Sequence, residues 1–305
     1  MLFFRIILLF LGILGYFFDF LFYIKTFIFN IFKYKSFFLS FFIILIYSII
    51  LMLVVTLIIA SLTLLERKLL SLVQRRVGPN FVGYKGRLQY LADALKLFLK
   101  GVVIPSNSSA FLFITMPSFA GAVCYTFWIN SIWGPSLSII DIEYNIVYAS
   151  LLSVLFGVCV MLTGYFSKNK YTVLAGIRAA ILMLNLEIFL GLIFLCVCFL
   201  SESFSFNSFC TYQELFWFFF LFFIIIANII LVFLLEVNRS PFDLAEAESE
   251  LVTGYTTEFG GFYFALFYLG EYFHLFFFSN VISIIFFGGW ENFNLNLLFL
   301  NSYFL

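Results

Sequence analysis

Residues 36–65 read SFFLSFFIILIYSIILMLVVTLIIASLTLL, thirty positions without a charged side chain, and the next three residues are Glu66, Arg67 and Lys68. A bilayer core of about 30 Å is crossed by about 20 helical residues, so this run is long enough to span. In lipid every backbone N–H and C=O must be bonded internally, and a run of this kind therefore predicts a helix. The three ionisable residues mark where it meets water.

The same pattern repeats outward along the chain. Gly101–Ile140 contains a second uncharged stretch, and Tyr144–Ser167 and Leu215–Leu235 are two more. Ala179–Leu200 and Phe259–Trp290 are as long but carry Glu187 and Glu271 inside them. The expectation is an all-α integral membrane protein of about six transmembrane helices in one membrane domain, residues 36–290, with a short tail, 291–305. Ahead of it, residues 1–35 hold an apolar helix, Ile6–Ile24, which carries Asp19. Counted as a span, it would put Lys25, Lys33 and Lys35 on the outer side, so an interfacial or partner-covered helix is expected.

Composition agrees. Apolar residues make up 64% of the 305 and charged residues 10%, with a mean hydropathy of +1.13, whereas soluble domains carry about a quarter charged residues. The net charge of +0 argues against nucleic-acid binding, which goes with a basic surplus. Phe occurs 49 times, more than hydrophobicity requires, and suggests an AT-rich coding bias of the kind found in organelle genomes. Met1–Ile24 is apolar beyond the core of a cleavable signal, so no removed leader is expected.

Metal and haem chemistry finds little support. The cysteines, Cys124, Cys159, Cys196, Cys198 and Cys210, make no C-x-x-C pair and read as small buried apolar residues. Cys196 and Cys198 on a helix would point their sulfurs about 200° apart. His274 is the single histidine, against the several that a membrane cytochrome or copper oxidase needs.

Basic residues set the topology. Glu66–Lys100 holds Arg67, Lys68, Arg75, Arg76, Lys85, Arg87, Lys96 and Lys100, half of the 16 Lys and Arg. The connection around Asp141 and Glu143 has none, the next has Lys168, Lys170 and Arg178, Ser201–Glu214 has none, and Glu236–Glu258 has Arg239. This alternation follows the positive-inside rule, with the loops after spans one, three and five inside.

Three segments carry chemistry. From Leu88, the residues Leu88, Leu91, Leu95 and Leu99 recur at three and four, predicting an amphipathic helix on the membrane surface with Asp93, Lys96 and Lys100 on its polar face. A lipid anchor would suit such a helix equally well. Asp93 and the turn Gly78-Pro79-Asn80 are not what anionic lipid asks for, and favour a binding surface. The second segment sets Glu236, Asp243, Glu246, Glu248, Glu250 and Glu258 against Arg239 alone. Packed like charges favour proton retention, so part of this cluster is expected to hold protons near neutral pH, the alternative being a solvated acidic loop.

The third is the set of acids inside spans. A charge at the bilayer centre costs roughly 2.5–3.5 kcal/mol on insertion scales, so an intramembrane acid reads by default as a proton or ion site. Glu187 lies about 13 Å deeper than Arg178 at 1.5 Å per residue. Glu236, Glu258 and Glu271 would extend a ladder of carboxylates from the inside loop to mid-membrane, the alternative being plain hydrogen bonding between helices.

The stretches ERK (66–68), QRRVGPN (74–80), GRLQYLADALKLFLK (86–100), GIRAAILMLNLE (176–187) and EVNRSPFDLAEAESELVTGYTTEFGGFYFALFYLGEY (236–272) closely resemble the subunit 1 family of mitochondrial NADH:ubiquinone oxidoreductase, respiratory complex I. The resemblance runs from about Leu39 to Phe287. It implies the membrane-side part of a quinone chamber where the peripheral arm docks, and the start of a proton-linked carboxylate path. By it, Arg67, Gln74, Arg76, Asp93 and Lys96 line or support the quinone entrance. Arg239, Asp243, Glu246, Glu248 and Glu250 form an acidic loop beneath the chamber, and Glu187, Glu236, Glu258 and Glu271 form the path inward.

The same resemblance implies ubiquinone as substrate, with NADH, FMN and iron–sulfur clusters held by partner subunits. Expected partners are the peripheral-arm quinone-site subunits, neighbouring membrane-arm subunits and membrane lipids, in the mitochondrial inner membrane, with the chain encoded in the mitochondrial genome. Leu182, Asn185 and Leu186 stand where the family commonly has Gln, Ser and Tyr. The family also continues past span six through two more helices, so a separate short chain supplying them is expected. Membrane-bound hydrogenases carry an equivalent subunit without quinone, and a stand-alone ion transporter is the reading from another class, although no inverted repeat is visible.

Overall fold

The computed structural model describes residues 37–131, 142–213, 217–223, 226–236, 242 and 254–289, with only the backbone path for 37–44, 129 and 130. The apolar stretch Ile6–Ile24, most of the acidic loop and the tail 291–305 lie outside the described residues.

Among the described residues the helices are α1 (Phe37–Val73), α2 (Gln89–Leu99), α3 (Ala110–Asn130), α4 (Asn145–Phe166), α5 (Lys170–Ser201), α6 (Phe206–Tyr212), α7 (Phe218–Leu221), α8 (Ile226–Glu236) and α9 (Phe262–Phe287). Five of them, α1, α3, α4, α5 and α9, are long and apolar enough to cross a membrane. The predicted span Leu215–Leu235 is carried by two shorter helices, α7 and α8. Six of the seven residues from Trp217 to Phe223 are aromatic, and such side chains lose rotamer freedom against the preceding turn, which weakens a continuous helix. The amides of Phe222 and Ile226 still reach the carbonyls of Phe218 and Phe222 at 3.0 and 2.9 Å. From 217 to 236 the chain would cover about 30 Å at helical rise, the thickness of a bilayer core.

The first helix also departs from expectation. Its apolar run stops at Leu65, yet α1 continues to Val73. Glu66, Arg67, Lys68, Leu69 and Leu70 are all good helix formers, and above the lipid nothing forbids charge on a helix. The result is a rod that projects about two turns past the span.

Close backbone approach shapes the hairpin of α4 and α5. A Cβ on Gly164 would sit 2.5 Å from the Thr172 carbonyl oxygen and 3.1 Å from Gly176 Cα, so only glycine admits this contact. The turn between them places Lys168 in the left-handed region at φ 54°. The Ser167 and Thr172 hydroxyls bond to each other across it. Asn169 caps α5 by accepting from the Tyr171 amide at 3.2 Å.

Helix α9 is the hub, packing on α1, α2, α3, α6 and α7. Its aromatic side chains interlock with α3 through Phe127–Phe277 at 4.7 Å and Tyr125–Phe273 at 5.0 Å. At the other end of the same helix, the buried Gln213 carboxamide donates to the carbonyls of Ile284 and Ile285 at 3.0 and 3.1 Å, satisfying helix-end acceptors away from water.

These contacts sort the connections into two groups. Gly261, at the start of α9, lies against the Lys100 carbonyl, where a Cβ would be 2.6 Å away. Asn169 bonds to Glu258 at 2.6 Å. The connections after α1, after α4 and before α9 therefore share one end of the bundle. At the opposite end the Ile146 amide reaches the Phe204 carbonyl at 3.5 Å.

Candidate functional site

The projecting end of α1 presents Glu66, Arg67 and Lys68 at successive positions, about 100° apart around the helix. Each finds a different partner. The Glu66 carboxylate accepts from the Tyr272 hydroxyl of α9 at 2.5 Å. Arg67 pairs with Asp93 of α2 at 2.5 Å, with the two side chains 47% and 36% exposed. Lys68 donates to the Lys85 carbonyl at 2.7 Å. Asp93 accepts a second bond, from Gln89 at 3.0 Å, one turn earlier on α2.

The loop between α1 and α2 is built from left-handed turns. Arg75 and Lys85 adopt φ 53° and 54°, and Gly83 and Gly86 adopt 74° and 70°. At Gly86 a Cβ would stand 2.1 Å from the Pro79 carbonyl oxygen, so glycine is required where the chain crosses itself. Of the residues expected at the quinone entrance, the structure joins Arg67 to Asp93. Gln74, Arg76 and Lys96 stand exposed, and among the described residues none of the three joins that pair by a hydrogen bond. Around them Val77, Phe81 and Leu99 are also exposed, Phe81 completely, so the loop and α2 form an apolar surface studded with cations.

The carboxylates expected along the inward path resolve into three groups. Glu271 accepts from the Tyr255 hydroxyl at 2.7 Å. Its neighbour Tyr272 faces α1 and also lies 3.1 Å, hydroxyl to hydroxyl, from Tyr268. Glu187 on α5 accepts from Ser153 of α4 at 2.6 Å. Glu236 closes α8, 1% exposed, on a helix that packs against α5. One oxygen of each, Glu187 Oε1 and Glu236 Oε2, is buried with no hydrogen-bond partner among the described residues. Buried polar atoms left open in this way are suited to receive a proton or a water. Glu258 accepts from Asn169 at 2.6 Å and forms the third group. Arg239, Asp243, Glu246, Glu248 and Glu250 lie outside the described residues.

Several partners escape a reading by charge alone. Ser153, Asn169, Tyr255, Tyr268 and Tyr272 complete these groups. The tyrosines left a usable trace. In a chain with 49 Phe, a Tyr on an apolar helix adds a hydroxyl where a Phe would pack as well.

The NADH dehydrogenase family model matches residues 46–305. The chain is 80% identical over 244 residues to NADH-ubiquinone oxidoreductase chain 1 of Paramecium tetraurelia, a match covering 80% of this chain and 93% of that protein. It is 39% identical over 241 residues to the protein of the same name from Chondrus crispus, covering 79% and 74%. With the protein of that name from Metridium senile it shares 36% identity over 232 residues, covering 76% and 70%.

Proposed function

The chain belongs to the NADH dehydrogenase family, and from that premise we propose that it is the quinone-site membrane subunit of a proton-pumping NADH:ubiquinone oxidoreductase. The observation that carries this reading is the hydrogen bond from Tyr272 to Glu66. It ties the polar, exposed end of α1, beside α2, to the helix that holds Glu271. A chamber formed there would be coupled to acids within the membrane.

In this reading Arg67, Gln74, Arg76, Asp93 and Lys96 line or support the entrance of the chamber. Ubiquinone reduction takes two electrons and two protons, and the donors of those electrons, FMN and iron–sulfur clusters fed by NADH, belong to partner subunits. The scattered cysteines of this chain support that division, since none shares a C-x-x-C spacing. Reduction shifts the charge balance of the loop holding Arg239, Asp243, Glu246, Glu248 and Glu250. Glu187, Glu236, Glu258 and Glu271 answer by moving protons, helped by the open oxygens of Glu187 and Glu236.

The exposed apolar surface around Phe81 and α2 fits docking of the peripheral-arm quinone-site subunits, and other faces fit neighbouring membrane-arm subunits. The names of the Paramecium and Chondrus relatives and the phenylalanine-rich composition support a place in the mitochondrial inner membrane and a mitochondrial gene. A hydrogenase subunit or a transporter is the weaker reading, because the relatives' names specify ubiquinone. A photoreactive ubiquinone analogue added to the intact complex should label peptides within residues 66–100. Labelling that never reached this chain would overturn the assignment.

A further inference from the structure

At the inside end of the α4–α5 hairpin the structure holds a cleft of about 620 Å³, lined by Tyr165, Lys168, Asn169, Lys170, Val173 and Leu174. We propose that this cleft binds the headgroup of an anionic phospholipid, with its acyl chains lying along α4 and α5.

The charge comes first. Among the described residues the one ion pair is Arg67–Asp93, so Lys168 and Lys170 both stand exposed without a carboxylate partner. Lys168 is fixed at φ 54° in the turn, where Ser167 and Thr172 brace the backbone on either side. Asn169 between them contributes no free group: its carbonyl oxygen accepts from the Tyr171 amide, and its amide donates to Glu258. Glu258 is thus already engaged, and among the described residues no carboxylate pairs with either ammonium group, which leaves both positive charges to a ligand. Cations at this level of a membrane protein attract anionic lipid, each contributing measurably to binding.

The apolar walls identify the ligand as a lipid. Below the cleft, Leu174, Ile177, Ile181, Leu184 and Ile188 are all exposed on α5, at spacings of three and four that make one continuous stripe. From 174 to 188 this stripe covers about 21 Å, more than one leaflet's half of a core about 30 Å thick. On α4, Tyr165, Met161, Val158 and Leu155 form a second exposed stripe. The upper ends of both stripes, Tyr165 and Leu174, line the cleft itself. Exposed Tyr165 and Tyr171 flank it, as aromatic residues do where a helix leaves the hydrocarbon. A free phosphate would use the lysines and ignore the stripes. A phospholipid uses both.

The test is lipid binding to the intact purified complex in detergent, titrated with phosphatidylglycerol or phosphatidylcholine and read by native mass spectrometry. Wild-type complex should retain phosphatidylglycerol, and the double variant Lys168→Asn, Lys170→Gln should bind it roughly twentyfold more weakly. Asparagine is chosen at 168 because it tolerates the left-handed backbone there. Phosphatidylcholine should bind weakly to both. Should the double variant not assemble, Lys168→Arg, Lys170→Arg keeps the charge, and its phosphatidylglycerol affinity should stay high and fall with added salt. Unchanged phosphatidylglycerol binding after loss of both lysines, or salt-independent binding, overturns the proposal. So does equal retention of phosphatidylcholine, and displacement of the lipid by inorganic phosphate would assign the cleft to a soluble anion.

Discussion

Tyr272 of α9 donates its hydroxyl to Glu66 of α1 at 2.5 Å, across 206 positions of sequence. A hydrogen bond to a charged group contributes about 1.5–3 kcal/mol, so Tyr272→Phe should lower quinone reduction by roughly tenfold while assembly survives. Glu66→Gln should cost a similar factor, and the double variant little more than either single change. Rates of the three variants that simply multiplied would mean the two residues act separately.

The Arg67–Asp93 pair predicts the opposite balance of effects. Both side chains are well exposed, and solvent screening leaves such a pair worth about 0.2–1 kcal/mol. Asp93→Asn should therefore leave the unfolding temperature of the complex almost unchanged and raise the KM for quinone. A large loss of thermal stability with an unaltered KM would make the pair structural.

Much of this arrangement is legible in the sequence and some is hidden, for identifiable reasons. The uncharged run 36–65 and the leucines of α2 announce themselves because lipid and interface impose simple periods. The extension of α1 to Val73 is hidden, since a hydropathy boundary marks where lipid ends and a helix need not stop there. The division of Leu215–Leu235 into α7 and α8 is hidden too, because helix and broken helix are equally apolar. Glu187 and Glu271 stand out as acids among apolar neighbours, but their hydrogen-bond donors do not: Ser153 comes from the preceding helix and Tyr255 from the turn before α9, at spacings that no helical period marks.

Glu187→Gln preserves shape and the bond from Ser153 but removes the group that can carry a proton. The expected outcome is fewer protons pumped per electron, read with a pH probe on vesicles containing the complex. Ser153→Ala should have a smaller effect in the same direction. An unaltered ratio in Glu187→Gln would take this residue out of the path.

The glycine contact between α4 and α5 can be tested by stability alone. Gly164→Ala drives a methyl to 2.5 Å from a backbone oxygen that has no room to retreat, and overpacking of this kind costs about 1–3 kcal/mol. Gly191→Ala, which meets nothing within 4 Å, is the matched control. Equal unfolding temperatures for the two variants would show that the hairpin can open to admit the methyl.

Sidedness follows from the alternation of basic loops. A membrane-impermeant thiol reagent should reach Lys168→Cys from one side of sealed vesicles and Glu143→Cys from the other. Labelling of both from the same side would refute the six-span arrangement.

The end of α1 behaves as a bolt with three catches. Glu66, Arg67 and Lys68 engage α9, α2 and the loop at Lys85, in three directions around one rigid rod. A small turn of that rod strains all three catches together, and no single one can be eased alone. The surface helix, the loop and the buried face of α9 are thus held in common register. The contact of Glu66 with Tyr272 thus joins the water-facing end of α1 to the residue that directly follows Glu271 on α9.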